Sequence, residues 1–95
     1  MNTFMVAQKT PNEINTQIAA RIRDLRKRRK LSQKKLSEKS GVSLGSVKRF
    51  ESSGEISLSS LTKLAIALSC ENELQGLFEK IPFASIQEVI DAQNN

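Results

Sequence analysis

The sequence predicts an all-α protein, a compact five-helix domain followed by a short C-terminal helical extension. Apolar residues recur at helical spacing in successive segments, and most of these segments open with a Ser or Thr that can cap a helix. No segment shows the alternation typical of a strand. The core must be largely aliphatic, since Trp and Tyr are absent and only 4 Phe occur among the 95 residues. That composition favours helices over strands.

The first helix is expected to begin after Thr10, which can cap it. Pro11 suits its first position, and Glu13 stands where a capping box requires an acid. Its apolar stripe consists of Ile14, Ile18, Ile22 and Leu25. The helix is expected to end near Arg29, because the basic run there suits the negative end of the helix dipole. Residues 1–9 show no periodicity and are expected to form a flexible arm.

Each of the next three helices is predicted from a serine cap followed by apolar residues. The caps are Ser32, Ser43 and Ser57, and the helices are expected at about 33–40, 44–52 and 58–68. Gly41 and Gly54 are placed to end the first two, because glycine adopts a left-handed conformation at little cost. The expected core residues are Leu36, then Val47 and Phe50, then Leu58, Leu61, Leu64, Ala65 and Leu68.

A fifth helix is expected at about residues 71–80, anchored by Leu74, Leu77 and Phe78. Pro82 is then expected to interrupt the helical structure. Ile86, Val89 and Ile90 indicate a last amphipathic segment. The expected organisation is therefore an arm at 1–9, a helical domain at 10–80 and an extension at 81–95.

Basic residues are concentrated in one part of the sequence. The net charge is +5, but residues 21–49 hold twelve Lys and Arg against two acids, a net charge of +10. Residues 50–95 hold seven acids against two Lys, a net charge of −5. A basic patch beside an acidic remainder indicates a polyanionic partner. The charge distribution alone is also compatible with a basic helix face that is only solvated and binds no partner.

Several classes of protein are not expected from this sequence. Cys70 is the single cysteine and cannot form an internal disulfide, which favours a reducing cytoplasm. No apolar run approaches the roughly 18 residues of a membrane span, and residues 1–9 lack the pattern of a signal peptide. His is absent, and there is no metal-ligand cluster or Gly-rich phosphate loop. We therefore expect no enzyme, metal, cofactor or membrane association.

Residues 33–51 have the local pattern of a helix-turn-helix. Two short helices are joined by a tight turn at Gly41, and Ser43 caps the second helix. Such a turn makes the second helix protrude, and a protruding helix fits the major groove of B-DNA, which is about 12 Å wide. The sequence therefore predicts a DNA-binding protein.

The spacing of Gln33, Gly41 and Val47, followed by Phe50 and Glu51, resembles the Cro/C1-type (Xre) family of helix-turn-helix transcriptional regulators. The resemblance covers about residues 18–78. It implies the fold of a lambda-repressor-like domain, binding to double-stranded DNA and, as the expected activity, repression of transcription.

The resemblance also implies roles for individual residues. The positions that read base edges are Leu44, Gly45 and Arg49, with Ser46 and Lys48 adjacent. Gln33 and Ser43 are implied to contact phosphates, and Gln33 also to brace the second helix of the motif, called the recognition helix below. Arg26 and Glu51 are implied to form an ion pair that ties the first helix to the recognition helix. The charges of Arg28, Lys34 and Lys35 suit further phosphate contacts or plain solvation.

Leu44 and Gly45 depart from the family pattern, which often has polar residues at these positions. Leucine can contact only a thymine methyl group or another apolar edge, and glycine offers no side chain. Direct readout is therefore expected to rest mainly on Arg49 and Lys48, assisted by Ser43 and Ser46. Gly45 either lets the backbone approach DNA or marks a relaxed specificity, and both interpretations stay open.

A homodimer is expected, because one helix-turn-helix contacts about one half-site and dimers place two recognition helices about 34 Å apart. The candidate interface comprises Leu74, Leu77, Phe78, Phe83, Ile86, Val89 and Ile90. These side chains equally suit the monomer's own core. The alternative function is an antitoxin that binds a toxin protein as well as its own promoter, with the segment after Pro82 as its partner-binding tail.

Overall fold

The computed structural model describes residues 9–80 and 86–94, and the regular structure within them is entirely helical. The helices are α1 (Pro11–Arg28), α2 (Gln33–Ser40), α3 (Leu44–Ser53), α4 (Leu58–Ala67), α5 (Glu71–Gln75) and α6 (Ile86–Asn94). The predicted fold class, a five-helix domain with a helical extension, is confirmed. Most of the predicted arm, Pro82 and Phe83 lie outside the described residues, and so does the side chain of Ile86.

Among the described residues, four helices begin at a side-chain cap. In each, the hydroxyl oxygen of the residue before the helix accepts a hydrogen bond from the backbone N–H three residues later, at 3.0–3.1 Å. The capping residues are Thr10, Ser32, Ser43 and Ser57. Each cap satisfies a backbone donor that the helix itself leaves unpaired, a contribution of typically about 1 kcal/mol. The predicted helix starts are thus confirmed.

The core lies where the first four helices meet. Both α1 and α2 pack on α3, α2 also packs on α4, and α5 packs on α4. The buried core residues are Ala19, Leu36, Val42, Val47, Phe50, Leu64, Ala65, Ala67 and Leu68. Because Val47 and Phe50 anchor the inner face of α3 between α1 and α2, the outer face of α3 is left to solvent.

Two glycines close α2 and α3. Gly41 and Gly54 both have φ of 80°, in the left-handed region that favours glycine. Their surroundings differ. A Cβ atom at Gly54 would lie 2.8 Å from the backbone carbon of Asn15, whereas one at Gly41 would meet nothing within 4 Å. The end of α3 is therefore packed directly against α1.

The fifth helix is shorter than predicted. It ends at Gln75, and Phe78 then adopts a positive φ of 63°, which is incompatible with a continuing right-handed helix. Leu77 and Phe78 are consequently 51% and 78% exposed. The prediction that these two residues anchor the core is wrong, and Leu74 is half-buried.

Two apolar residues predicted to face the core are also exposed. Leu58 is 68% exposed and Ile14 is 46% exposed. Both lie in the first turn of a helix, α4 and α1 respectively, before the helix reaches the centre of the domain. Their successors along the same stripe, including Ile18 and Leu61, do pack against the core.

Candidate nucleic-acid interface

The outer face of α3 carries the residues that the sequence assigned to base recognition. Gly45, Ser46, Lys48 and Arg49 are exposed, and Leu44 is half-buried. The opposite face holds Val47 and Phe50, which are 0% and 1% exposed. The helix therefore separates its core contacts from the polar side chains it offers to a partner.

Arg26 of α1 and Glu51 of α3 form an ion pair with two hydrogen bonds. Nε of Arg26 donates to Oε2 of Glu51 at 2.7 Å, and Nη2 donates to Oε1 at 2.9 Å. The two side chains are only 9% and 4% exposed. Nη1 of Arg26 also donates to the backbone oxygen of Leu31 at 2.7 Å, which fixes the chain between α1 and α2. The guanidinium thus joins α1, the following turn and the recognition helix.

Gln33 adds α2 to this cluster. Its Nε2 donates to Oε1 of Glu51 at 3.0 Å, so the Glu51 carboxylate accepts three hydrogen bonds from two side chains. Gln33 is half-buried, and the second hydrogen of its amide nitrogen remains for a further acceptor. The arrangement both braces α3 and leaves a donor at the start of α2 that can bind a phosphate oxygen.

A cleft of about 380 Å³ lies between α1 and α3 beside this cluster. Its lining includes three exposed cations, Arg23 and Lys27 of α1 and Lys48 of α3. Three positive charges around one cleft suit a phosphate backbone. The sequence reasoning did not single out Arg23 and Lys27, although their spacing of four residues on a predicted helix places them on one face.

Arg49 lies on the other side of the recognition helix, where it contacts Glu55. Nε and Nη2 of Arg49 both donate to Oε2 of Glu55, at 3.1 and 2.8 Å. The pair is open to solvent, with side chains 71% and 62% exposed. It borders a polar depression of about 370 Å³ formed by the end of α3 and the start of α4. Sequence reasoning missed Glu55, because its contact with Arg49 crosses the end of a helix, where no periodicity applies.

The remaining predicted phosphate contacts are placed on the surface. The hydroxyl of Ser43 accepts from the backbone N–H of Ser46 at 3.1 Å and bonds the Ser46 hydroxyl at 2.8 Å. Arg28 and Lys34 are exposed at the end of α1 and the start of α2. Nζ of Lys35 lies 3.5 Å from Oε2 of Glu38, in a pair that is more than half exposed.

Among residues 9–80 and 86–94, no three His, Cys, Asp or Glu side chains come together in a way that could hold a metal ion. None of the described helices combines the length and the apolar character needed to cross a membrane.

The chain is similar to a known family of proteins. A family model described as helix-turn-helix matches residues 22–71, just over half of the 95 residues. The matched part contains α2, α3 and α4 together with both members of the buried ion pair. No curated protein and no solved structure matches the chain.

Proposed function

Because the chain belongs to the Cro/C1-type helix-turn-helix family and is thus a DNA-binding regulator, we propose that it is a sequence-specific repressor of transcription. In this proposal α3 enters the major groove of double-stranded DNA, and the protein acts in the cytoplasm. The observation that carries the proposal is the exposed polar face of α3, held in a fixed orientation by the cluster of Arg26, Glu51 and Gln33.

The proposed base readout rests mainly on Arg49. A guanidinium can donate two parallel hydrogen bonds to O6 and N7 of guanine, a contact worth roughly 1–3 kcal/mol of discrimination. Lys48 and Ser46 assist from the same exposed face. Leu44 offers an apolar contact for a thymine methyl group, and Gly45 leaves the backbone open to approach.

The proposed phosphate contacts flank this readout. Gln33 offers the second hydrogen of its amide nitrogen at the start of α2, and the hydrogen-bonded hydroxyls of Ser43 and Ser46 offer one hydrogen at the start of α3. The helix dipoles at both places also favour an anion. The charges of Arg28, Lys34 and Lys35 add sequence-independent attraction. The cleft formed by Arg23, Lys27 and Lys48 supplies a further path for the backbone of one strand.

We propose that the active species is a homodimer, since two recognition helices are needed to read a complete operator. The exposure of Leu77, Phe78 and Ile90 supports an interface at the C-terminal end. Half-burial of Val89 on α6 is compatible with the same surface. Occupation of a promoter by such a dimer would exclude other proteins from it, which is the physical basis for repression.

An antitoxin is the second candidate function. The same exposed apolar residues, Leu77 and Phe78, favour it, because they do not belong to α3 and would remain accessible to a protein partner during DNA binding. Purification of the tagged chain from its native cell discriminates between the two candidates. A stoichiometric protein partner supports the antitoxin, whereas recovery of the chain alone supports a plain repressor.

Selection of binding sites from random double-stranded DNA tests the proposed function. We expect enrichment of a palindrome whose half-sites are centred about one helical turn, roughly 34 Å, apart. Enrichment of a single half-site would contradict the dimer, and absence of any enriched sequence would contradict sequence-specific binding. A promoter carrying the selected site should then lose expression when the protein is present, and a rise in expression would contradict repression.

A further inference from the structure

We propose that Glu55 is a positioning residue that orients Arg49 for one guanine and thereby sets the specificity of the protein at that base pair. Glu55 lies in the turn after α3, outside the helix-turn-helix itself. The inference rests on the proposed function, because it requires Arg49 to read a base. It adds to that function a residue that makes no direct contact with the base.

The guanidinium of Arg49 has two edges that can each donate a pair of hydrogen bonds. Nε and Nη2, which bond Oε2 of Glu55, form one edge of this planar group. Nη1 and the second hydrogen of Nη2 form the adjoining edge, and Nη1 makes no hydrogen bond within the described part of the chain. That edge presents two parallel donors, the arrangement that matches guanine O6 and N7. Glu55 thus holds one edge and leaves the base-reading edge available.

The turn that carries Glu55 is fixed relative to Arg49. The hydroxyl of Ser53 donates to the backbone oxygen of Arg49 at 2.6 Å, and the backbone N–H of Glu55 donates to that hydroxyl at 3.2 Å. Between them, Gly54 has a φ of 80° and is packed so closely against Asn15 that a Cβ atom would lie 2.8 Å from its backbone carbon. The position of the Glu55 backbone is therefore set by the fold rather than by the ion pair.

The ion pair of Arg49 and Glu55 is exposed to solvent, which limits its contribution to folding stability. With side chains 71% and 62% exposed, the pair lies in the class that contributes little to folding stability. The pair can still affect the free energy of DNA binding. An arginine that is already oriented loses less side-chain freedom when it binds a base. An arginine held in this orientation also disfavours a complex without guanine, because the donors of its other edge are then removed from water without an acceptor.

The test compares Glu55→Ala with the matched control Glu38→Ala, which removes a carboxylate from another exposed ion pair. For each protein, dissociation constants are measured for the selected operator and for operators with single base-pair changes. The guanine read by Arg49 is first located as the position where Arg49→Ala loses discrimination. At that position, Glu55→Ala should lose about 3- to 10-fold in the preference for guanine over adenine.

Four further results are expected. Discrimination at the other base pairs should not change in Glu55→Ala, and Glu38→Ala should keep full discrimination at every position. Adding Glu55→Ala to Arg49→Ala should cause no further loss. The urea midpoint of Glu55→Ala should match that of the parent chain, which separates positioning from a structural defect.

Two results would overturn the inference, and they are distinguishable. If Glu55→Ala keeps its preference for guanine, Glu55 does not orient Arg49. Tighter operator binding with that preference intact would show in addition that Glu55 only competes with DNA for Arg49. Base reading by Arg49 would then stand. If Arg49→Ala loses discrimination at no position, the assigned base reading fails first, and the role of Glu55 fails with it.

Discussion

The guanidinium of Arg26 and the carboxylate of Glu51 face each other at 2.7 and 2.9 Å in a contact from which solvent is nearly excluded. The residues are 25 positions apart in the sequence and belong to α1 and α3. A buried charge is tolerated only when it is paired and hydrogen-bonded. Here Arg26 and Glu51 are each other's partners. The orientation of the recognition helix therefore depends on an electrostatic contact in addition to apolar packing.

Glu51→Ala should lower the free energy of unfolding by about 3–5 kcal/mol, because it leaves Arg26 buried without its counter-charge. Urea denaturation measures this change. Glu38→Ala is the matched control, since its ion pair with Lys35 is exposed and should contribute less than about 1 kcal/mol. Equal losses in the two variants would show that the buried pair does not stabilise the fold.

Arg49→Ala should relax the base preference of the protein at a cost on the order of 1–3 kcal/mol in operator binding. Lys34→Ala should instead weaken binding to all sequences alike and reduce the salt dependence by about one unit of slope. Binding titrations on operator and random DNA at several salt concentrations measure both effects. Wild-type affinity of Arg49→Ala for the operator would show that the recognition assignment is wrong.

Gly54→Ala and Gly41→Ala form a second matched pair, because both glycines have φ of 80°. At Gly41 the added methyl group meets no atom within 4 Å, so the cost should be only the conformational one, about 1–2 kcal/mol. At Gly54 the methyl group would also collide with the backbone of Asn15, so the loss should reach about 3 kcal/mol or more. Thermal unfolding should rank the variants in this order, and the reverse order would contradict the packing of α3 on α1.

Gly45→Ala should stabilise the protein by up to about 1 kcal/mol, because Gly45 lies in the first turn of α3 and an added Cβ atom meets nothing within 4 Å. Chemical denaturation measures the gain, and a loss of stability would contradict the open surroundings of this residue. Operator affinity of the same variant resolves the role of the glycine. Weaker binding identifies close approach of DNA to the backbone. Unchanged binding excludes that approach and leaves relaxed specificity as the remaining interpretation.

Cys70 should react slowly with alkylating reagents. Burial raises the pKa of its thiol, Arg29 opposes this shift, and Glu71 and Glu73 add to it. A raised pKa means a smaller fraction of thiolate, the reactive form, at any pH below that pKa. We expect the alkylation rate of the folded protein near pH 8 to be lower than that of the urea-unfolded chain. A faster reaction in the folded state would contradict the direction of the shift.

The parts of the fold that follow from local chemistry could be predicted from the sequence. The caps at Ser32 and Ser43 were predictable, because a hydroxyl at a helix start has a backbone donor three residues away whatever the tertiary structure. The same holds for Gly41 and Gly54, where a helix end requires a positive φ. The inward faces of α2 and α3 were predictable from periodicity.

Tertiary relationships account for what could not be predicted. The apolar spacing of Leu74, Leu77 and Phe78 suits a longer helix, but α5 ends at Gln75 and the following residues turn away from the core. Likewise, the contact of Arg49 with Glu55 depends on how the turn at Gly54 is packed against α1. Periodicity carries no information about such a turn, so both features required the three-dimensional structure.

The open surroundings of Gly45 have an evolutionary consequence. A side chain introduced there displaces no neighbour, and the exposed Ser46 and Lys48 beside it are likewise outside the core. Under the proposed base readout by α3, mutations in this face therefore change the preferred operator while the fold is conserved. In a lineage of duplicated genes, such a chain could acquire new target sequences by single substitutions without first needing a compensating change in its core.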